Sequence, residues 1–549
     1  MPKALTVANL ADRSARKFGD KVFVTREVTF RYPILDRSLG IDSSKKEITY
    51  NEILKLTNGV AHAMRDRLGI RRGDRIAVLL TNLPEMGLVF TAAARLGAVI
   101  VPLNFMLKAR EVTRIVSDCG AKVLITEPEL FAMNIRDKEY VPGIEHWVMV
   151  ADEERVPDGF ESVDRLGEGI SEDVWVEPAD LAPDEVAAIF YTSGTTGFPK
   201  GAMLTSGNLM STITTSLRLL RIGKKDFGVC ALPLAHIFGF TTGIIGGFYS
   251  GASGFLMRFF DPEKALYNIQ EMKATLFFGV PAMYALMLQA HPEKYDLSTM
   301  RYWLCGADAM PVEHIKRFEA LGGRFIEGYG LVETAPIVSV NLPYIRRTGT
   351  IGIPIPGVKV RIMDEKGNKL PRGRPGEIVV RGPNVMKGYW KDEARTAEAF
   401  KYDWFHTGDI GTRDHLGYIH FVDREKDVLK VGGYSVFSRE VEEEILANPK
   451  VLEVAIVGMP HETKGEIPVA FVELVAGQTA TEEELLEWCR EHIAGYKAPR
   501  MIRIEKHMPM TMTLKVLKRD LRDKLLKELA EAAVEGAPVE EEPGVRAPG

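Results

Sequence analysis

Eleven consecutive residues, Tyr191-Thr192-Ser193-Gly194-Thr195-Thr196-Gly197-Phe198-Pro199-Lys200-Gly201, carry four aliphatic hydroxyls, three glycines and one lysine. That chemistry points to phosphate. Successive backbone N–H groups can form an anion-binding nest, the hydroxyls of Ser193, Thr195 and Thr196 add donors, and glycine lets the main chain approach the ligand closely. The GxxxxGK[ST] spacing of a Walker loop is absent. A Gly/Ser/Thr-rich segment is also what an ordinary turn looks like, so the reading depends on what accompanies it.

Five further motifs follow: LPLAHIFGF at 232–240, GYGLVET at 328–334, WFHTGD at 404–409, GYIHFVDREKDVLKVGGYSVFSREVEE at 417–443 and TLKVLKRDLR at 513–522. In this order and spacing the series resembles the acyl-adenylate-forming superfamily over residues 10–525, and within it the acyl-CoA synthetases. The resemblance implies two half-reactions. A carboxylate and ATP give acyl-AMP and pyrophosphate with Mg2+, and a thiol, usually that of coenzyme A, then displaces AMP. It also implies an α/β fold: a large N-terminal domain (1–424) of parallel-sheet subdomains with a small β subdomain, and a small mobile α+β C-terminal domain (425–535).

Carried over position by position, the resemblance makes Glu333 the magnesium ligand, a role suited to a carboxylate because Mg2+ is usually held by one or two carboxylates and the phosphates it neutralises. Tyr329 becomes the plate against adenine, with Glu327, Gly328 and the Gly306-Ala307 backbone nearby. The expected ATP and AMP contacts also include Thr192, Ser193, Gly194, Thr195, Thr196, Lys200, Thr334, Asp409 on the ribose hydroxyls, and Arg424. Lys515, with Lys518 as the alternative, would bridge the acyl carboxylate and the α-phosphate, and His236 would stand beside the carboxylate and the thiol entrance. Lys426 falls at the hinge, and Lys430, Gly432 and Gly433 would face the site during thioester formation. Phe238, Phe240, Thr241 and Leu331 are expected along the acyl pocket. Two departures stand out: Val332 replaces a usual threonine near the α-phosphate, and Leu514 replaces the usual glycine before the lysine.

The elements that must position these residues are legible from periodicity. RIAVLL, PEMGLVFTAAARLG and AVIVPL (75–103) read as strand, helix, strand, and similar apolar runs at 122–126, 186–193, 253–259 and 274–280 alternate with helical stretches, predicting largely parallel sheets. After Pro354 short alternating runs between Gly and Pro turns predict antiparallel strands. Residues 536–549, with three prolines and a Glu run, read as a disordered tail.

The 549 residues, 46 % hydrophobic and 26 % charged, allow several domains with large cores. With 70 Lys and Arg against 75 Asp and Glu, the net charge of -5 gives no basic surplus for nucleic acid. Four scattered cysteines (Cys119, Cys230, Cys305, Cys489) indicate neither a disulfide framework nor a zinc site. The N-terminus lacks the apolar core of a signal peptide, and the apolar stretches at 88–107 and 274–290 are broken by Arg95 and Pro102 and by Pro281. A cytoplasmic protein without a membrane span is expected; peripheral membrane contact and a homodimer stay open. After His236, Ile237, Phe238 and Phe240 offer no carboxylate to a substrate ammonium, so the acid is expected to be apolar. A medium- to long-chain fatty acid is favoured over an aromatic or alicyclic one; a carrier-protein ligase, an oxygenase of the luciferase kind and a sensor without turnover are the other readings.

Overall fold

The computed structural model describes residues 4–170, 174–192, 199–308, 310–432, 434–461, 465–512 and 514–535. The expected tail at 536–549 lies outside the described residues, as do Ser193, Gly194, Thr195, Thr196 and Gly433. The chain divides into two compact units, residues 1–407 with 412–420, and residues 408–411 with 421–549.

Two sheets dominate the first unit. In one, Arg75–Leu79 lies between Val99–Pro102 and Ala121–Thr126, parallel to both. The helix Pro84–Leu96 makes the crossover, with Pro at its start and Gly97 in the left-handed conformation at its end. Val186–Thr192 adds a further parallel strand and turns back antiparallel into Lys200–Thr205. In the other sheet Phe227–Cys230, Ser253–Leu256, Leu276–Gly279, Tyr302–Cys305 and Arg324–Gly330 run parallel, and Ile337–Val340 is antiparallel at their side. Its alternating residues separate two environments. Val229, Phe255, Phe277 and Trp303 enter a dry core with Tyr284, Phe318 and Phe325. The opposite face carries Gly228, Cys230, Gly254, Leu256, Leu276 and Phe278.

The strand expected over 253–259 ends at Leu256. The backbone N–H of Arg258 donates to the Glu27 carboxylate instead of a ladder, and its guanidinium reaches Thr81. Lys359–Met363 pairs antiparallel with Gly376–Arg381, as the alternation after Pro354 predicts.

The second unit packs helices Ser438–Leu446, Glu482–His492 and Lys518–Glu535 with a sheet in which Val428–Val431, Gly465–Leu474 and Val451–His461 are antiparallel and Met501–Glu505 joins parallel. The four cysteines are free and buried. Among the described residues no helix is long and apolar enough to cross a membrane.

Candidate active site

Thr192 and Lys200 stand opposite each other in the antiparallel pair of strands 186–192 and 200–205, on either side of the Gly/Ser/Thr segment. Gly388–Tyr389 pairs with the outer side of Lys200–Thr205. This register puts the Tyr389 ring 5.2 Å from Lys200 Nζ, and the Tyr389 hydroxyl donates to Glu333 Oε1 at 3.0 Å. A lysine, a phenol and a carboxylate thus converge from segments far apart in the chain. Burial, reinforced by the Glu333 carboxylate, raises the Tyr389 phenol far above its ordinary value, so it remains a donor. Sequence reasoning missed Tyr389; it lies outside every motif used there.

Glu333 itself occupies the helical turn Val332–Thr334, which follows the strand carrying Glu327, Gly328 and Tyr329. Gly330 is dictated by close approach, because a Cβ there would lie 1.6 Å from the Pro336 carbonyl oxygen. Thr334 is fully buried and donates its hydroxyl to that same carbonyl at 2.7 Å. The Glu327 carbonyl accepts from Asn341 N–H, and the Asn341 amide reaches its carboxylate at 3.4 Å. Gly306 faces the Phe238 ring, which would lie 3.3 Å from a Cβ, and the Gly328 carbonyl at 3.4 Å. Ala307 is held at φ 73°, in the region that favours glycine.

His236 precedes a short helix and accepts the Phe238 N–H on Nδ1 at 3.3 Å, which leaves the ring proton on Nε2. Burial pushes its pKa down to about 4, so the neutral imidazole is a donor rather than a cation. The preceding Leu232-Pro233-Leu234 segment is pinned by Asn82, whose amide donates to the Leu232 carbonyl and accepts from Leu234 N–H. Asn82 is a second residue that no motif signalled. Leu331 follows Gly330 and donates its N–H to the Pro336 carbonyl. Phe240 and Thr241 are fully buried; Phe240 packs edge-on against Phe90 and Phe190.

Beyond Phe240 the helix widens into a π turn, Phe240–Ile245, continued by Gly246–Ser250. Between it and the sheet face of Gly228 and Cys230 lies a cavity that is partly open to solvent. Leu234, Thr242, Gly243, Gly246 and Gly247 line it, and among the described residues no charged side chain does. Phe238, Phe240, Thr241 and Leu331 are not among its lining residues.

In the second unit Asp409 is nearly inaccessible, and Arg424 Nε lies 3.6 Å from its Oδ1. Lys426 is lowered from its ordinary value by burial; the Arg424 and Lys515 cations add to this, and Asp427 and Asp409 oppose it. Asp409, Arg424 and Lys515 therefore each lie within electrostatic reach of Lys426. Lys515 sits on a tight turn closed by a Met510–Val516 bridge and by Thr511 N–H on the Lys515 carbonyl. Leu514 before it is forced to φ 53°. Lys430 pairs with Ser435 across a hairpin whose turn places Gly432 at φ 56°, and its Nζ reaches Ser435 Oγ at 2.8 Å.

Residues 11–390 match the family of AMP-binding enzymes, and residues 440–515 match the AMP-binding enzyme C-terminal domain. A feruloyl-CoA synthase of Amycolatopsis is 36 % identical over 481 residues, covering 86 % of this chain and 93 % of the relative. A long-chain-fatty-acid–CoA ligase of Escherichia coli O6:H1 is 31 % identical over 513 residues, covering 87 % and 90 %. The crystal structure of an anthranilate CoA ligase in complex with anthranoyl-AMP superposes with a TM-score of 0.86 at 26 % identity, over 96 % of this chain and 99 % of the other. The chain therefore belongs to the AMP-binding enzyme family and is an AMP-forming acid–thiol ligase.

Proposed function

We propose that this ligase converts a hydrophobic carboxylic acid, foremost a medium- to long-chain fatty acid, into its coenzyme A thioester at the expense of ATP. In the first half-reaction a carboxylate oxygen bonds to the α-phosphorus, the bond to the bridging oxygen breaks, and pyrophosphate leaves. In the second the thiol sulfur bonds to the acyl carbon, its proton is lost, and AMP departs.

Several features support residue roles. Glu333 presents a hard oxygen donor near Lys200, a donor set that suits Mg2+ shared with ATP phosphates; the ion, when bound, neutralises phosphate charge. Lys200 and the loop before it would hold phosphate. Tyr329, Glu327, Gly328, Gly306 and Ala307 would bound the adenine, and Asp409 with Arg424 would hold the ribose, since an ionised carboxylate accepts from two hydroxyls. Lys515 would balance the negative charges of carboxylate and α-phosphate while they meet. His236, neutral, would orient an oxygen through Nε2–H. Lys426 would be the hinge, and Lys430 with Gly432 would serve the thioester step. A mobile C-terminal domain starting at 425 belongs to the same proposal.

The observation that carries the substrate class is the cavity, walled by aliphatic and aromatic groups and by the bare backbone of Gly228 and Gly254. Its wall, mostly apolar with the hydroxyls of Thr242, Ser250 and Ser253 as its polar groups, matches methylene chains. An aromatic acid is the second reading, favoured by the feruloyl-CoA synthase relative. The test is kcat/KM for CoA thioester formation across straight-chain acids of about four to eighteen carbons, benzoate, ferulate and phenylalanine. The expected result is a rise with chain length. A preference for ferulate or benzoate overturns the fatty-acid reading, and a preference for phenylalanine overturns the apolar one.

A further inference from the structure

Lys518, the first residue of the helix Lys518–Glu535, takes no part in the catalytic and binding roles proposed for this ligase, yet it anchors a largely buried polar cluster. Its Nζ lies 2.6 Å from Glu442 Oε1 and donates to Ser438 Oγ at 2.7 Å. The Ser438 hydroxyl, inaccessible to solvent, donates in turn to Asp423 Oδ2 at 3.0 Å. Ile456 N–H also donates to Glu442 Oε1, and the N–H groups of Arg424 and Arg439 donate to the Asp423 carboxylate. The Lys518 and Glu442 side chains are 23 % and 14 % exposed. Burial alone would lower the Lys518 ammonium, but the carboxylates of Glu442, Asp427 and Asp423 outweigh it and hold the pKa above its ordinary value. The cation persists at neutral pH.

The cluster joins the two parts of the second unit that carry chemistry. On one side, three residues before Lys518, Lys515 sits on its turn, whose exit is fixed by Leu517 N–H on the Pro509 carbonyl. On the other, Asp423 directly precedes Arg424, whose guanidinium faces Asp409. We infer that Lys518 is a positioning residue: through Ser438 and Asp423 it ties the Lys515 turn to the Arg424–Asp409 pair and so fixes where the ammonium of Lys515 stands relative to the ribose-binding carboxylate. This rests on the proposed function, in which Lys515 and Asp409 serve acyl-AMP formation.

Removing Lys518 alone would strand the Glu442 charge, so the informative variant is Lys518→Met/Glu442→Met, because replacing a buried ion pair by apolar residues is often tolerated. Three quantities are measured in the full chain: melting temperature, ATP–pyrophosphate exchange with the acid, and thioester formation from supplied acyl-AMP and coenzyme A. The expected pattern is a melting temperature near wild type, an exchange kcat lower by about 10- to 100-fold, the scale of a displacement of roughly 1 Å at a reacting group, little change in KM for ATP, and a nearly intact second half-reaction. Lys518→Arg, which can still reach both Ser438 and Glu442, should keep most of the exchange activity. Unchanged exchange in the folded double variant, or an equal fall in both half-reactions, overturns the inference. If the double variant fails to fold, Ser438→Ala decides: it breaks only the relay, and a selective loss of exchange supports the inference while none overturns it. Lys515→Ala in parallel separates the two levels of argument. If that variant keeps full exchange, the reading of Lys515 has failed; if it loses exchange while the Lys518 variants do not, only the positioning role of Lys518 has.

Discussion

Gly228→Leu is the sharpest test of where the substrate chain lies. A Cβ at Gly228 would meet Phe278 Cε2 at 3.7 Å and Leu276 Cβ at 4.0 Å, ordinary van der Waals contacts, so the backbone accepts a side chain without moving. The leucine atoms beyond Cβ must enter the cavity, because Gly228, Leu276 and Phe278 share the face that lines it. Gly228 is two residues before Cys230, hence about 7 Å further from the strand ends where the His236 segment begins. A leucine there should displace roughly three methylenes of a long substrate. At about 0.8 kcal/mol per buried CH2 the loss is about 2.4 kcal/mol, or roughly 60-fold in kcat/KM. Acids of about four to six carbons, too short to reach the new side chain, should lose less than about threefold. The assay is kcat/KM for CoA thioester formation across chain lengths, with the melting temperature as a check on folding. A uniform fall at all lengths, or no fall for the longest acids, would refute the assignment of this cavity to the acyl chain.

Leu514→Gly should relieve a left-handed backbone worth about 1–2 kcal/mol while costing about 0.4–1 kcal/mol through a freer unfolded chain, leaving stability unchanged or slightly raised; a drop of more than about 1 kcal/mol by urea denaturation contradicts the strain. Because His236 is neutral down to about pH 4, ATP–pyrophosphate exchange should show no inflection near the unperturbed histidine value of about 6.5. An inflection there that vanishes in His236→Gln speaks against the buried, neutral ring. The same shift fixes a stability sign: the unfolded chain takes up the proton first, so the contribution of His236 is full above about pH 6.5 and is lost as pH falls toward about 4.

How legible each feature is in the sequence depends on how it is encoded. The strands at 75–79 and 99–102 and the helix between them announce themselves because one short segment holds a whole period of alternation, and the crossover must fold within it. Lys200, Glu333, Asp409 and Lys515 could be proposed from the sequence because each stands in a contiguous motif. Tyr389 and Asn82 could not. Tyr389 meets Glu333 only because Gly388–Tyr389 pairs with the far edge of the 200–205 strand. Asn82 reaches Leu232 and Leu234 across about 150 residues. Phe240 and Thr241, also read from a motif, are fully buried and lie outside the lining of the cavity, Phe240 packing against Phe90 and Phe190. The Thr241 hydroxyl donates to the Ile237 carbonyl in the short helix before the π turn.

The same distinction bears on substrate choice. In the proposed function the motif residues act on the groups every substrate shares, a carboxylate, phosphates and a ribose, so their presence cannot separate a ferulate from a fatty acid; relatives bearing both names match this chain at 36 % and 31 % identity. Discrimination must come from groups that touch what differs between acids. In this chain the strand glycines lie opposite each other in register, Gly228 beside Gly254, and the facing helix contributes Gly243, Gly246 and Gly247. Each lacks the side chain that would fill the space, and filling is energetically cheap at Gly228 but not everywhere: a Cβ at Gly247 would press the Phe23 ring at 3.0 Å, and one at Gly243 would come within 3.1 Å of Leu234. At Gly228 the sheet side of the cavity is thus free to vary without rearranging its neighbours, whereas Gly254, where a Cβ would lie 3.3 Å from the Gly228 carbonyl oxygen, and the helix side are held by packing. Specificity in this enzyme should therefore be altered more readily from Gly228 than from Gly254 or the helix, and substitutions there should change chain-length preference while the chemistry of adenylation stays intact.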